Sequence, residues 1–136
     1  MNKPHLEVTA GLIWKQGKVL ITKRPVGTHM QGYWEFPGGK KEQGETLEQC
    51  LRRELVEELG IEVEVLEQIA KVCHEYKDRV IVLHAFTCKA LKGQIVAREC
   101  QEIRWVNPER LHDYSFPPPD MEIIHKILGK RVETSS

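Results

Sequence analysis

The chain has 136 residues, 40% of them hydrophobic, and its 20 basic and 20 acidic side chains give a formal net charge of zero. That length suits one domain with a core of its own. The balanced charge argues against a protein built to coat nucleic acid, which would carry a basic excess, but a small anionic ligand needs only local charge. Residues 1–9, MNKPHLEVT, read as strand, so neither a signal peptide nor a membrane span is expected. Cys50, Cys73, Cys88 and Cys100 show no CxxC spacing. Reduced thiols and a cytoplasmic location are the expectation, and a zinc site at Cys73 and His74 would lack paired ligand spacing.

In chain order, the β-rich runs 6–14 and 18–22 flank Lys15-Gln16-Gly17 and read as a hairpin. Residues 24–37, with Pro25, Gly27, Gly32 and Pro37, read mostly as loop. Thr46-Leu47-Glu48-Gln49 fits a capping box, with Thr46 as N-cap of a helix that Gly60 ends in a left-handed turn. Further β-rich runs fall at 61–66, 68–76 and 79–90, the last two joined around Lys77-Asp78, and another at 102–106. Pro108 marks a short helix over 108–112. Pro117-Pro118-Pro119 reads as a rigid extended segment, after which Asp120 caps a last helix with Met121, Ile124, Ile127 and Leu128 on one side. A single domain over 1–130 and a disordered tail over 131–136 are expected. Strands stand before and after one central helix without simple alternation, which predicts a mixed α/β (α+β) chain and not a Rossmann fold.

The central helix poses the chemical question. At about 100° per residue, Leu47, Leu51, Leu55 and Leu59 form a drifting apolar stripe, and Glu54 and Glu58 each fall about 20° from Leu47. Glu57 lies on the flank of Glu54. A run of glutamates is usually a solvated helix face. These border the buried stripe, where like charges repel more strongly than in water. A divalent cation removes that repulsion. Hard carboxylate oxygens suit Mg²⁺, or Mn²⁺ in its place, together with substrate phosphates. Such a site favours phosphoryl chemistry with an activated water. Gly38 and Gly39 precede the helix, as an ordinary turn or as backbone that closely approaches a metal or phosphate.

Gly39, Glu45, Arg53-Glu54-Leu55, Glu57-Glu58, Gly60 and Ile61 match every fixed position of the Nudix box, a glycine, five residues, Glu, seven residues, then Arg-Glu-aliphatic-any-Glu-Glu-any-Gly-aliphatic. The chain thus resembles the Nudix hydrolases. WEFPGGK at 34–40, ITKRP at 21–25, His29-Met30, Tyr76-Lys77-Asp78-Arg79 and FPPPD at 116–120 resemble the MutT-like branch, so the likeness covers most of residues 6–128. It implies the Nudix fold, a mixed β-sheet sandwiched between α-helices with the box as loop-helix-loop. It implies a nucleoside triphosphate pyrophosphohydrolase in which water attacks the β-phosphorus and NMP and pyrophosphate leave. Such enzymes cleanse the nucleotide pool of oxidised forms such as 8-oxo-dGTP, in the service of DNA repair.

Carried over by position, the resemblance makes Glu54, Glu57 and Glu58 the metal-binding and catalytic residues, with Glu54 acting on the water. The carbonyl of Gly38 is a further ligand. Glu99 sits where the branch has a distal carboxylate, with a solvated strand-end acid as the alternative. Glu45 and Arg53 support the motif as an ion pair, together with Gly39 and Gly60. Arg24, His29, Phe36, Tyr76, Arg79 and Asp120 match positions lining the nucleotide pocket. Asp120 departs from the asparagine of the 8-oxoguanine enzymes. An ionised aspartate only accepts, so it suits N7–H or the amine of cytosine or adenine but opposes O6 unless protonated. CTP, dCTP or 5-methyl-dCTP therefore stands as the alternative substrate, with Asp120 as a mere helix cap the structural one. ADP-ribose or dinucleoside polyphosphates are a further alternative, as is a non-catalytic nucleotide-binding domain, although such domains usually lose box glutamates and this chain keeps them. The expected partner is a nucleoside triphosphate, with no nucleic acid polymer or membrane, for a monomer or homodimer.

Overall fold

The computed structural model describes residues 3–100 and 102–135, those from 130 onward by backbone alone. The strands are β1 (His5–Lys15), β2 (Lys18–Lys23), β3 (Trp34–Glu35), β4 (Glu62–Glu75), β5 (Val80–Lys92) and β6 (Glu102–Val106), and the α-helices are α1 (Leu47–Leu59) and α2 (Pro118–Ser135). They form a mixed sheet in the order β3-β2-β1-β5-β4, with β6 also paired to β2. β1 runs parallel to β5 from His5↔Val80 to Ile13↔Cys88, and the remaining pairs are antiparallel.

The period-2 alternation of the strands gives each sheet face its own core. On one face Leu12, Val19, Ile21, Leu83 and Ala85 meet Ile123, Ile124 and Ile127 of α2. On the other, Ile13, Leu20, Val63 and Phe86 meet Leu51, Leu55 and Leu59 of α1. The sheet therefore lies between the two helices, as the resemblance implies. The three α1 leucines are fully buried, each contributing roughly 2 kcal/mol by removal from water. They fix which flank of α1 faces the sheet.

Local signals hold at α1. The Thr46 side chain accepts from Gln49 N–H, Gln49 reaches back to Thr46, and Gly60 closes the helix at φ +70°. Two readings change. The runs at 61–66 and 68–76 are one strand, β4, kinked by register shifts at Val65/Gln68 and Gln68/Ala70. Polar residues at a bulge read as a break because extra residues disturb alternation without ending pairing. The triple proline is also not extended throughout. α2 starts at Pro118, because a first helical turn needs no N–H and suits proline's fixed φ. Asp120 therefore lies inside the first turn of α2 and is not its N-cap. The short helix forms as a 3-10 helix, Pro108–Asp113. The tail expected over 131–136 lies outside the residues described with side chains.

Candidate active site

The Gly38–Gly39 turn lies against β1. Thr9 N–H donates to Gly39 O at 2.8 Å and Gly11 N–H to Pro37 O at 2.7 Å. A Cβ on Gly38 would sit 2.0 Å from Thr9 O, and one on Gly39 2.3 Å from Glu54 Cδ. Gly38 is thus required by its close approach to the backbone of β1, while a side chain at 39 would push the Glu54 carboxylate of α1 aside.

The acid flank of α1 is organised by Arg53. Its Nε and Nη2 form a fork on Glu45 at 3.0 and 2.7 Å, and this hydrogen-bonded pairing holds the Glu45 carboxyl down at about 2. Nη1 meets Glu54 Oε1 at 2.9 Å and Glu57 Oε2 at 3.2 Å. One cation therefore already lies where two box carboxylates converge. Desolvation raises the pKa of Glu54 against the pull of Arg53, with Glu57 and Glu99 adding repulsion. Glu99 is thereby placed beside the acid group, and its N–H reaches Glu58 O at 3.4 Å.

Glu58 is buried. Its Oε1 accepts from the Thr22 hydroxyl and its Oε2 from Gly38 N–H, both at 3.3 Å. Burial, and then the charge of Glu35, push its carboxyl up to about 8. Among the described residues, no three His, Cys, Asp or Glu side chains converge closely enough to hold a metal as they stand. The donor set nevertheless fits a hard divalent cation. It offers only carboxylate oxygen, its members repel one another, and Gly39 leaves open the space a Cβ would take from Glu54.

The Gly38–Gly39 turn also forms one wall of a cleft of about 330 Å³. All six residues expected to meet the nucleotide line it: Arg24, His29, Phe36, Tyr76, Arg79 and Asp120. They come from four separate segments. Trp34 N–H donates to Ser115 O at 2.8 Å and Phe36 stacks on Phe116 with centroids 5.6 Å apart, which brings the start of α2 against β3. Asp120 is then buried, accepting from Phe36 N–H at 3.2 Å. Burial, with the charge of Glu35, pushes its carboxyl up to about 8. A carboxyl raised in this way matches the protonated alternative left open by the sequence, which can donate as well as accept. At the other end of the cleft, Tyr76 and Arg79 close the β4–β5 hairpin, with the Arg79 guanidinium 4.9 Å from the Tyr76 ring centroid and His29 edge-on to that ring at 6.0 Å.

Glu35 also lines the cleft and did not stand out in the sequence. It pairs with Arg24 at 2.8 Å, and desolvation raises its pKa. Its charge acts on both Glu58 and Asp120, raising each carboxyl. Position 35 follows a buried tryptophan in a two-residue strand, and nothing local marks it as more than an outward residue.

A Nudix box on a loop-helix-loop, set against a mixed sheet between two helices, defines the class, and comparison with known proteins agrees. A family model described as NUDIX domain matches residues 9–126, and the chain belongs to that family. It is a Nudix hydrolase. It is 39% identical over 126 residues to the CTP pyrophosphohydrolase of Escherichia coli (strain K12), covering 93% of each chain. It is 43% identical over 100 residues to the 8-oxo-dGTP diphosphatase of Proteus vulgaris, covering 73% of this chain and 89% of that one. The solution structure of the E. coli ORF135 protein superposes with a TM-score of 0.85 at 38% identity, covering 95% of this chain and 92% of that one. No helix among the described residues is long and apolar enough to cross a membrane.

Proposed function

We propose that this Nudix hydrolase is a Mg²⁺-dependent nucleoside triphosphate pyrophosphohydrolase that removes oxidised or non-standard nucleotides such as 8-oxo-dGTP, releasing NMP and pyrophosphate. One observation carries the reading. The cleft and the acid group share the Gly38–Gly39 turn, so a base against Asp120 extends its phosphates towards Glu54, Glu57 and Glu58. These three glutamates, with the Gly38 carbonyl and Glu99, hold the metal, which when bound neutralises phosphate charge and lowers the pKa of water. Mn²⁺ fits the same oxygen donors. Glu54 orients the attacking water and takes its proton. Arg53, fixed on Glu45, keeps the acid flank together, and Arg79 and Lys40 add positive charge at the cleft.

Base choice falls to Asp120. As a buried acid it offers one O–H donor while retaining lone pairs, so it can serve both O6 and N7–H of an 8-oxoguanine. Ionised, it accepts from the amine of cytosine. This gives CTP or dCTP hydrolysis as the second reading, favoured by the same residue. The test is kcat/KM across 8-oxo-dGTP, dGTP, CTP, dCTP, 5-methyl-dCTP and ATP, with products identified, for wild type and Asp120→Asn. An amide donates and accepts without a proton. The substitution should therefore favour 8-oxo-dGTP over CTP by about tenfold, one base hydrogen bond's worth. An unchanged order of preference rules out Asp120 as the base reader.

A further inference from the structure

The structure singles out a side chain that the box does not contain. Thr22 is completely buried on β2. By alternation it shares the α1-facing side of the strand with Leu20, which is packed among the α1 leucines. At that position a valine would fill the same volume with equal β-preference and no polar cost. A buried hydroxyl needs a partner to offset its desolvation. The partners of Thr22 are the Glu58 Oε1 at 3.3 Å and the Glu35 carbonyl at 3.4 Å. The second is the backbone of its own strand partner, since Thr22 lies opposite Glu35 in the β2–β3 pair. One proton serves two acceptors, so the hydroxyl couples the β3 backbone to the Glu58 carboxylate.

Glu58 is gripped at both oxygens, by Thr22 at Oε1 and by Gly38 N–H at Oε2. Each grip uses one lone pair and leaves another outward. A glutamate has three side-chain torsions, and fixing them in advance removes that cost from ligand binding. Outer partners of this kind orient ligating carboxylates and tune metal affinity.

Resting on the assignment of Glu58 as a metal-holding carboxylate, we propose that Thr22 is a positioning residue for the reaction. Its hydroxyl fixes the Glu58 carboxylate in the orientation that receives the divalent cation. Thr22 touches neither the nucleotide cleft nor the reacting atoms, and it acts through Glu58.

Thr22→Val keeps shape and removes the hydroxyl, while Thr22→Ser keeps the hydroxyl and loses a methyl. Mn²⁺ binding is measured directly on the nucleotide-free enzyme by the electron paramagnetic resonance of free Mn²⁺, alongside Mg²⁺ activation, kcat, nucleotide KM and Tm without metal. Thr22→Val should weaken Mn²⁺ binding and Mg²⁺ activation by about tenfold, the lower end for an outer-partner loss. Nucleotide KM should stay within about twofold, since the substitution leaves the cleft intact, and the metal-free Tm should fall by no more than the loss of one buried donor to Glu58, a loss that Thr22→Ser should restore. Thr22→Ser should recover most of the affinity. Wild-type Mn²⁺ affinity in Thr22→Val, with affinity lost in Glu58→Gln, would show Thr22 to be a packing residue and overturn the proposal alone. If Glu58→Gln also keeps wild-type affinity, the assignment of Glu58 falls and the proposal with it. Should Thr22→Val not fold, Thr22→Ala enters the same Mn²⁺ titration, and wild-type affinity there overturns the proposal equally.

Discussion

The two ends of the site are built differently. The acid end comes from one contiguous stretch, in which Gly39, Glu45, Arg53, Glu54, Glu57 and Glu58 meet within a loop and a single helix. The base end is assembled from the loop after β2, the end of β3, the β4–β5 hairpin and the start of α2. At the acid end a guanidinium and hydrogen bonds compensate the charges locally. At the base end burial raises the Asp120 carboxyl against the pull of Arg24, as burial also raises Glu58 at the acid end. Most of the acid end is therefore set within one loop and helix, with Thr22 of β2 as an outside contact, while the base end depends on how four separate segments pack.

The largest effect expected breaks the acid end alone. Glu54→Gln should lower kcat by about 10²–10⁴-fold, the range for losing a positioned base, with nucleotide binding retained by isothermal titration. Wild-type turnover would show that Glu54 does not act on the water. Gly39→Ala comes next. Its Cβ would meet Glu54 Cδ at 2.3 Å, and a displacement of that order should cost about 10²-fold in kcat, again with binding at the base end preserved.

pH sharpens the contrast. The Glu58 carboxyl rises from 4.5 to about 8 and that of Asp120 from 3.8 to about 8. The folded protein thus keeps protons that the unfolded chain releases. Stability present in acid is lost progressively as the pH rises from the unfolded values towards about 8. The metal-free Tm should fall over that window. Mg²⁺ should raise Tm more at pH about 8.5 than at pH about 6, because it binds the ionised acid end. Glu58→Gln should flatten part of the metal-free slope and remove the Mg²⁺ response, while Asp120→Asn should flatten a further part and leave the Mg²⁺ response intact. The smallest effect lies outside both ends. Thr46→Ala removes the α1 cap and should cost about 1 kcal/mol, or about 3–5 °C in Tm, with kcat unchanged.

Much of this was legible beforehand because it is local. The capping box, the left-handed glycine and the leucine stripe follow from helical periodicity, and the hairpin from the Lys15-Gln16-Gly17 turn. The spacing of the box sufficed to name the family. The fusion of two runs into β4 was hidden, because a bulge looks like a break until its partner strand is seen. The role of Asp120 as an assumed cap was misread for a similar reason. Three successive prolines read as extended, and it is the Trp34–Ser115 hydrogen bond and the packing of Phe36 on Phe116 that draw that turn against β3. Glu35 and Thr22 lie in stretches that carry the branch resemblance, but nothing in their neighbours shows what their side chains meet.

The sequence by itself determined the helix, its caps, the carboxylates along one flank and the family they belong to, since these depend on contacts between residues a few positions apart. Only the tertiary structure decided which carboxyls are buried, that Arg24 meets Glu35, and that burial raises the Asp120 carboxyl at the cleft. Those outcomes depend on desolvation. Desolvation is set by whatever the rest of the chain packs around a side chain, and segments as distant as Phe36 and Asp120 leave no mark of it on each other's neighbours in sequence.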